Sequence, residues 1–313
     1  MISFWIPYYY LKILIYKNIL HHKDLNMKIF SLILALLLSL TFRASFAEEE
    51  KKFLTLGTYT YGIHHRMENL LPLSSLLQEK LDGEYKVVTV SFPSVDDLIQ
   101  AMLQNEVDIV FISTSGYLGY LEQAQDFDIA GALIDDSGSS SSYRSVIAAS
   151  KQSGISDWEG VMKKSKDLKF SFVDEKSTSG FMFPIKQLES KNLIPLNEYF
   201  NSIDFSGNHM KALESILSGD SDLAAFGAND LHALGNRKEE INILWISDAI
   251  PLGPVLVSKT IEERVKKEIE DLLHGLHQTE PTVFETIKSG WVEAQHASRF
   301  EKVNLAYYLE FLK

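Results

Sequence analysis

The stretch "LKFSFVDEKSTSGFMFP", residues 168–184, changes character halfway along. Its first part, Leu168 to Asp174, is a short apolar run rich in phenylalanine and valine and predicts a strand. Ser177-Thr178-Ser179-Gly180 then supplies hydroxyl caps ahead of Phe181 to Leu188, an amphipathic stretch that predicts a helix. A strand running into a helix start is the unit of an α/β sheet, and ligands bind such sheets at the carboxyl ends of their strands. The same tetrapeptide occurs earlier in "VDIVFISTSGYL", Val107 to Leu118, again between an apolar strand pattern and a helical one.

Working outward, further short β-rich runs lie at 53–59, 85–92, 107–112, 221–226 and 241–246, separated by amphipathic stretches at Leu70–Leu81, Val95–Leu103 and Met210–Leu217. That alternation predicts mostly parallel sheets with helices packed on them. Two punctuated segments mark a division. "DDSGSSSSYRSVIAAS" (Asp135 to Ser150) and "SDAIPLGPVLVSK" (Ser247 to Lys259) each carry a loop into an extended run. Two crossings make residues 146–249 an inserted lobe, with residues 48–145 and 250–313 forming the other. The tail, around "RVKKEIEDLLHGLH" and "RFEKVNLAYYLEFL", reads as helices.

With one STSG copy in each lobe, two helix starts can face one another across a cleft. Unpaired amides, the positive end of the helix dipole and rotatable hydroxyls would then hold a small oxyanion from both sides. N-capping alone also accounts for Ser113 and for Ser177. For the first copy the two readings stand level.

The composition bounds the function. The chain has 313 residues, no cysteine and a net charge of −12. Residues 27–47 read as a secretory signal: Met27-Lys28, the apolar run Ile29–Leu40, then Ser45-Phe46-Ala47 as a cleavage site. Cleavage after Ala47 is expected, with translation starting at Met27. Five of the 30 Lys and Arg and one of the 42 acids precede Glu48, leaving 25 basic and 41 acidic residues, a net −16. Such a chain repels nucleic acid and anionic lipid. The absence of cysteine excludes disulfides, thiolate metal sites and a lipidated anchor. A free periplasmic protein, monomeric and without metal or cofactor, is the expectation.

"FSFVDEKSTSGFMFP" resembles the signature of the phosphate, phosphite and phosphonate substrate-binding proteins of ABC importers, the PhnD-like branch. Further segments follow the family's order: "NEVDIVF", the Tyr-led "YRSVIAASK", the His-bearing "GNHMKALESILSGDSDLAAF" and "IPLGPVLVSK". The similarity runs from Phe53 to about Trp291. It implies a two-lobed periplasmic-binding-protein fold of type II, α/β with hinge crossovers, which closes on a small anionic ligand and presents it to an ABC permease in the inner membrane. By the motif, Ser177, Thr178 and Ser179 bind the oxyanion, His209 adds a donor and Tyr143 lines the hinge side. Two positions depart from the family pattern: Val95 and Ile112 stand where tyrosines are expected. The hydroxyls of Ser113, Thr114 and Ser115 are candidates to compensate, and Ser113 and Thr114 join the ligand-binding set with Tyr59.

Other residues keep open readings. Tyr61 competes with Tyr59, His64 and His65 follow the first strand, and Asp174 and Asp222 either meet a ligand or end strands. His274 and His277 in "HGLH" read as a solvated helix face, and Lys176 as a solvent-facing cation. No G-x-S-x-G elbow, P-loop or H-E-x-x-H motif is present, so binding is expected and catalysis is not. Two rivals share the fold: the ligand-binding component of a membrane sensor, and a binder of a sulfonate or another ligand without phosphorus.

Overall fold

The computed structural model describes residues 52–60, 66–134 and 143–310. The signal region, Tyr61, His64, His65 and the serine-rich loop at 135–142 lie outside them.

Two sheets organise the molecule. The first contains β1 (Lys52–Tyr59), β2 (Tyr85–Phe92), β3 (Ile109–Phe111), β4 (Phe127–Ile134), β10 (Pro254–Ser258) and β11 (Arg299–Glu301), in the order β11-β4-β10-β3-β1-β2. The second contains β5 (Ser145–Ser150), β6 (Lys169–Phe172), β7 (Ser202–Phe205), β8 (Leu223–Gly227) and β9 (Ile241–Ile246), in the order β7-β6-β8-β5-β9. In each sheet three strands run parallel, β2-β1-β3 and β7-β6-β8, while the returning strands β10 and β5 pair antiparallel to β3 and β8. The inner strands β3, β8, β5 and β10 are buried along their whole length. They read as continuous apolar runs because helices cover both faces.

The helices are α1 (Arg66–Lys80), α2 (Val95–Leu103), α3 (Thr114–Leu121), α4 (Trp158–Lys164), α5 (Phe183–Ser190), α6 (Leu196–Tyr199), α7 (His209–Ser218), α8 (Glu263–Thr279), α9 (Pro281–Ser289) and α10 (Leu305–Leu309). A π turn over Thr178–Met182 runs directly into α5. Local chemistry fixes their starts: Ser94 caps α2 by accepting from the Asp97 amide, and Asn208 caps α7 by accepting from that of Lys211. Two apolar clusters flank the first sheet, around Leu56, Leu73 and Leu273 and around Leu98, Val110 and Tyr120. Two more flank the second, around Phe226 and Leu213 and around Phe170, Phe172 and Leu188.

The sequence pattern omits β4, β7 and β11. "RFEKVNLAYYLEFL" is expected to be helical, yet Arg299–Glu301 forms a strand antiparallel to β4, and among its described residues the α-helix is confined to Leu305–Leu309. Burying Phe300 against the Phe111 and Phe284 rings favours the extended form there.

The two crossings between sheets lie side by side. The Ile250 amide donates to the Tyr143 carbonyl (2.9 Å) and the Ser247 amide to that of Ser145 (2.9 Å). The Arg144 guanidinium donates to the Ser247 carbonyl (2.8 Å). Paired strands of this kind make a two-stranded hinge between the lobes.

The strand orders also show where the two STSG turns sit. Aligning β2-β1-β3-β10-β4 with β7-β6-β8-β5-β9 matches β1 to β6 and β3 to β8. The first STSG follows β3 and the second follows β6, so the two turns occupy non-equivalent places. The equivalent aspartates are instead Asp108 and Asp222, which precede β3 and β8. Asp108 accepts from the Thr55 amide (2.7 Å) and Asp222 from that of Lys169 (2.8 Å). Both lie at the amino ends of their strands, far from the sheet edge that carries the STSG turns, and Asp222 is therefore a structural residue.

Candidate ligand-binding site

Each STSG turn is a small structural device. Ser113 Oγ accepts from the Gly116 amide and Ser177 Oγ from the Gly180 amide, both at 3.1 Å. A Cβ on Gly116 would lie 2.6 Å from a Val95 methyl and 2.9 Å from Ile112 Cγ1, and one on Gly180 would lie 2.4 Å from Val173 Cγ2. Serine therefore caps the turn, and glycine lets its first coil press onto the end of the preceding strand. The two central residues of each turn remain for other work.

Part of that work is joining the turns to each other. The Ser115 amide donates to Thr178 Oγ1 (3.1 Å), and the Thr178 hydroxyl donates to Ser115 Oγ (3.1 Å). Ser115 Oγ in turn donates to the Lys176 carbonyl. The Lys176 ammonium reaches Asp96 at the start of α2 (3.4 Å). Lys176, expected to face solvent, keeps a side chain 39% exposed while reaching Asp96 across the gap between the lobes. On the opposite side, the Asn229 amide donates to the Val292 carbonyl (3.1 Å).

Beside these contacts lies a cavity of about 260 Å³ lined by Tyr59, Arg66, Val95, Ser113, Tyr143, Asp174, Lys176, Ser177, Thr178, His209 and Glu293, among others. Of the eight candidate residues, six line it. Ser179 does not: it is fully buried, with its Oγ accepting from the Tyr143 hydroxyl (3.0 Å) and its carbonyl from Ser145 Oγ (2.6 Å). It orients Tyr143. Thr114 also turns away, donating to the Pro251 carbonyl (2.6 Å). Val95 faces the cavity, whereas Ile112 is buried in the apolar cluster around Val110. Of the hydroxyls considered as substitutes for the two missing tyrosines, only that of Ser113 lines the cavity.

His209 is neutral. Its Nδ1 accepts from the Gly227 amide (2.7 Å), which leaves the proton on Nε2 as a donor. Burial, and then the Arg66 charge, lower its pKa to about 3. Asp230 Oδ2 lies 3.8 Å from the same Nδ1. Burial, and then the Glu293 charge, raise Asp230 to about 7. With the proton of His209 elsewhere and Asp230 near half-protonated at neutral pH, this contact is not an ion pair. Burial also raises the hydroxyls of Tyr143 and Tyr59 above the usual phenol value, so both stay protonated donors.

Two charged residues of the wall escaped sequence reasoning. Arg66, at the start of α1, is 3% exposed. Its Nε donates to the Gly290 carbonyl (3.0 Å), its guanidinium lies over the rings of Tyr59 (4.6 Å) and Trp291 (4.9 Å), and Nη2 is 3.6 Å from Glu293 Oε1. The available signal was its position just after the first strand, at the sheet edge where ligands gather. Glu293 lies in a short 3₁₀ turn, Val292–Ala294, that no pattern announced.

Two α/β lobes, paired crossovers and a cavity between them lined by hydroxyl, imidazole and charged side chains define a hinged binding protein for a small solute. Residues 64–308 match the family described as ABC transporter, phosphonate, periplasmic substrate-binding protein, and the chain belongs to that family. It is 27% identical over 265 residues to the phosphonates-binding periplasmic protein of Escherichia coli K12, covering 82% of this chain and 76% of that protein. Among solved structures, the binding protein component of an ABC phosphonate transporter from Pseudomonas aeruginosa superposes with a TM-score of 0.67 at 20% identity, covering 84% and 85% of the two chains. PhnD1 of Prochlorococcus marinus, in complex with methylphosphonate, gives 0.66 at 19% identity, covering 83% and 96%. These two likenesses establish the type II fold. Family membership implies a periplasmic location, a small ligand and a membrane permease, and the family's role is binding. Among the described residues no helix is long and apolar enough to cross a membrane.

Proposed function

We propose that this protein captures a small phosphorus oxyanion, phosphate, phosphite or a phosphonate, in the cavity between its lobes and delivers it to an ABC permease. The observation that carries this reading is the facing pair of STSG turns at a cavity whose wall includes neutral hydroxyl and imidazole groups beside Arg66 and Lys176. Ser177 presents a hydroxyl from the helix start, His209 presents Nε2–H, and Tyr59 and Ser113 offer hydroxyls around them, while Thr178 and Tyr143, whose protons go to Ser115 and Ser179, line the cavity beside them. Ser179 acts through Tyr143, and Thr114 through the Pro251 crossing. Directed donors are what a strongly acidic protein needs to bind an anion, because its global field opposes the approach.

In this reading residues 48–145 and 250–313 form one lobe and residues 146–249 the other, and cleavage after Ala47 releases the protein as a periplasmic monomer that avoids nucleic acid. Closure is a hinge motion at the paired crossovers, and the Ser115–Thr178 and Lys176–Asp96 contacts form only when the lobes meet.

Thermal unfolding tests the ligand class directly. A ligand that binds only the folded state at a concentration of about 100 Kd adds roughly 2.7 kcal/mol, which at this size raises the midpoint by about 5–10 °C. Phosphate, phosphite, methylphosphonate and aminoethylphosphonate are compared with sulfate and taurine. At least one phosphorus oxyanion should shift the midpoint, and Ser177→Ala/Thr178→Ala should abolish the shift. A response to taurine or sulfate alone would move the protein to sulfur anions.

A further inference from the structure

The two STSG turns divide their hydroxyl residues in the same way. In each, the first serine caps its own helix start, one residue holds a crossing between the lobes, and one reaches the other lobe. In the first copy Thr114 donates to the Pro251 carbonyl of the second crossing (2.6 Å), and Ser115 bonds to Thr178 and Lys176. In the second copy Ser179 accepts from the Tyr143 hydroxyl of the first crossing (3.0 Å), and Thr178 bonds to Ser115.

Among the described residues, three bonds thus run between the two turns: Ser115 amide to Thr178 Oγ1, Thr178 hydroxyl to Ser115 Oγ, and Ser115 hydroxyl to the Lys176 carbonyl. Every atom in them belongs to the protein. Ser115 is 9% exposed and Thr178 3%, so water competes poorly for these groups while the lobes are together. The contacts at the rims are weaker. Lys176 and Asp96 are 39% and 64% exposed, and an ion pair in that setting contributes little and is screened by salt.

We infer that Ser115 and Thr178 form a latch that holds the lobes together whether or not ligand is bound. Ser115 is thereby a positioning residue: it does not line the cavity, yet it sets how much of the protein stands with its lobes joined and how long they stay so. The latch rests on the two-lobed fold and holds for any class of ligand.

The test exploits a chain without cysteine. Gln100→Cys on α2 and Glu214→Cys on α7 place spin labels at exposed positions of two helices that start at the cleft from opposite lobes. Double electron–electron resonance then reads their separation with no ligand added. The labelled protein should show mainly the short distance of joined lobes. Ser115→Ala deletes two of the three bonds and should raise the ratio of open to joined molecules about tenfold or more, since one hydrogen bond contributes about 2- to 10-fold. Thr178→Val deletes the pair from the other lobe and should open the protein similarly. Asp96→Asn, or salt raised to about 0.5 M, should change the ratio less than about twofold. With phosphite or methylphosphonate bound, Ser115→Ala should release the anion about 3- to 10-fold faster than the parent protein. A ligand-free parent found only at the long distance, or equal distance distributions for the parent, Ser115→Ala and Thr178→Val, overturns the latch. If neither anion binds while Ser115→Ala still opens the lobes, the ligand class falls and the latch stands.

Discussion

Alanine at position 253 is expected to lower the stability of the fold by about 4 kcal/mol or more, and so to lower the thermal midpoint by roughly 8–16 °C. A Cβ built on Gly253 falls 1.8 Å from the Ile112 carbonyl oxygen and 2.9 Å from Ser113 Cα. These are backbone atoms, so no side-chain rotation relieves the overlap. Gly253 stands where the second crossing enters β10, which is hydrogen-bonded to β3, and Ile112 leads from β3 into the first STSG turn. Relief would pull β10 from β3 or tilt the start of α3. Gly119 is the control: it lies inside α3 with no atom within 4 Å of its would-be Cβ, and alanine there should be neutral or stabilise by up to about 1 kcal/mol. Equal midpoints for the two variants would refute the argument.

The second large effect concerns pH. Asp230, 15% exposed, has its pKa raised from 3.8 to about 7 in the folded protein. The folded state thus holds a proton that the unfolded chain has released, and stability falls as pH rises from about 4 to about 7. Above pH 7 the full penalty of the buried carboxylate is present. Asp230→Asn removes it, so the variant should match the wild type near pH 4 and exceed it by about 2–4 kcal/mol at pH 8, on a slope of about 1.4 kcal/mol per pH unit between. His209 works in the opposite sense. Its pKa is depressed to about 3, so its contribution is present above about pH 6.5 and is lost as pH falls below that value. The two opposing slopes flatten the wild-type profile between about pH 4 and 6.5. Removing Asp230 unmasks the His209 slope, and denaturant unfolding across this range would show it. Parallel profiles for wild type and Asp230→Asn would contradict the assignment.

Much of this architecture was legible because it is local. The strands at 53–59, 107–112 and 168–174 are apolar runs that end in turn chemistry, and both STSG copies carry their own caps. The segments that escaped depend on partners distant in sequence. Arg299–Glu301 is a strand because β4 offers an edge and Phe111 a ring to pack on, neither visible in its own residues. Arg66 and Glu293 illustrate the same limit at the site. Each reads alone as an ordinary surface charge, and only the fold buries the guanidinium between two aromatic rings and sets the carboxylate against it. Thr114 and Ser179 show the converse: their motif marks them as ligand contacts, while their hydroxyls are turned to Pro251 and Tyr143.

The placement of the two STSG turns bears on ancestry. Had one ancestral lobe been copied to make the other, a tetrapeptide inherited from it would follow matching strands in both halves. One copy instead follows β3 and the other β6, the counterpart of β1, whereas the aspartates at 108 and 222 do occupy matching places and make matching hydrogen bonds. Identical spelling at 113–116 and 177–180 thus marks no equivalent place in the two sheets; each copy brings a capping hydroxyl and a side-chain-free fourth position to the same steric problem.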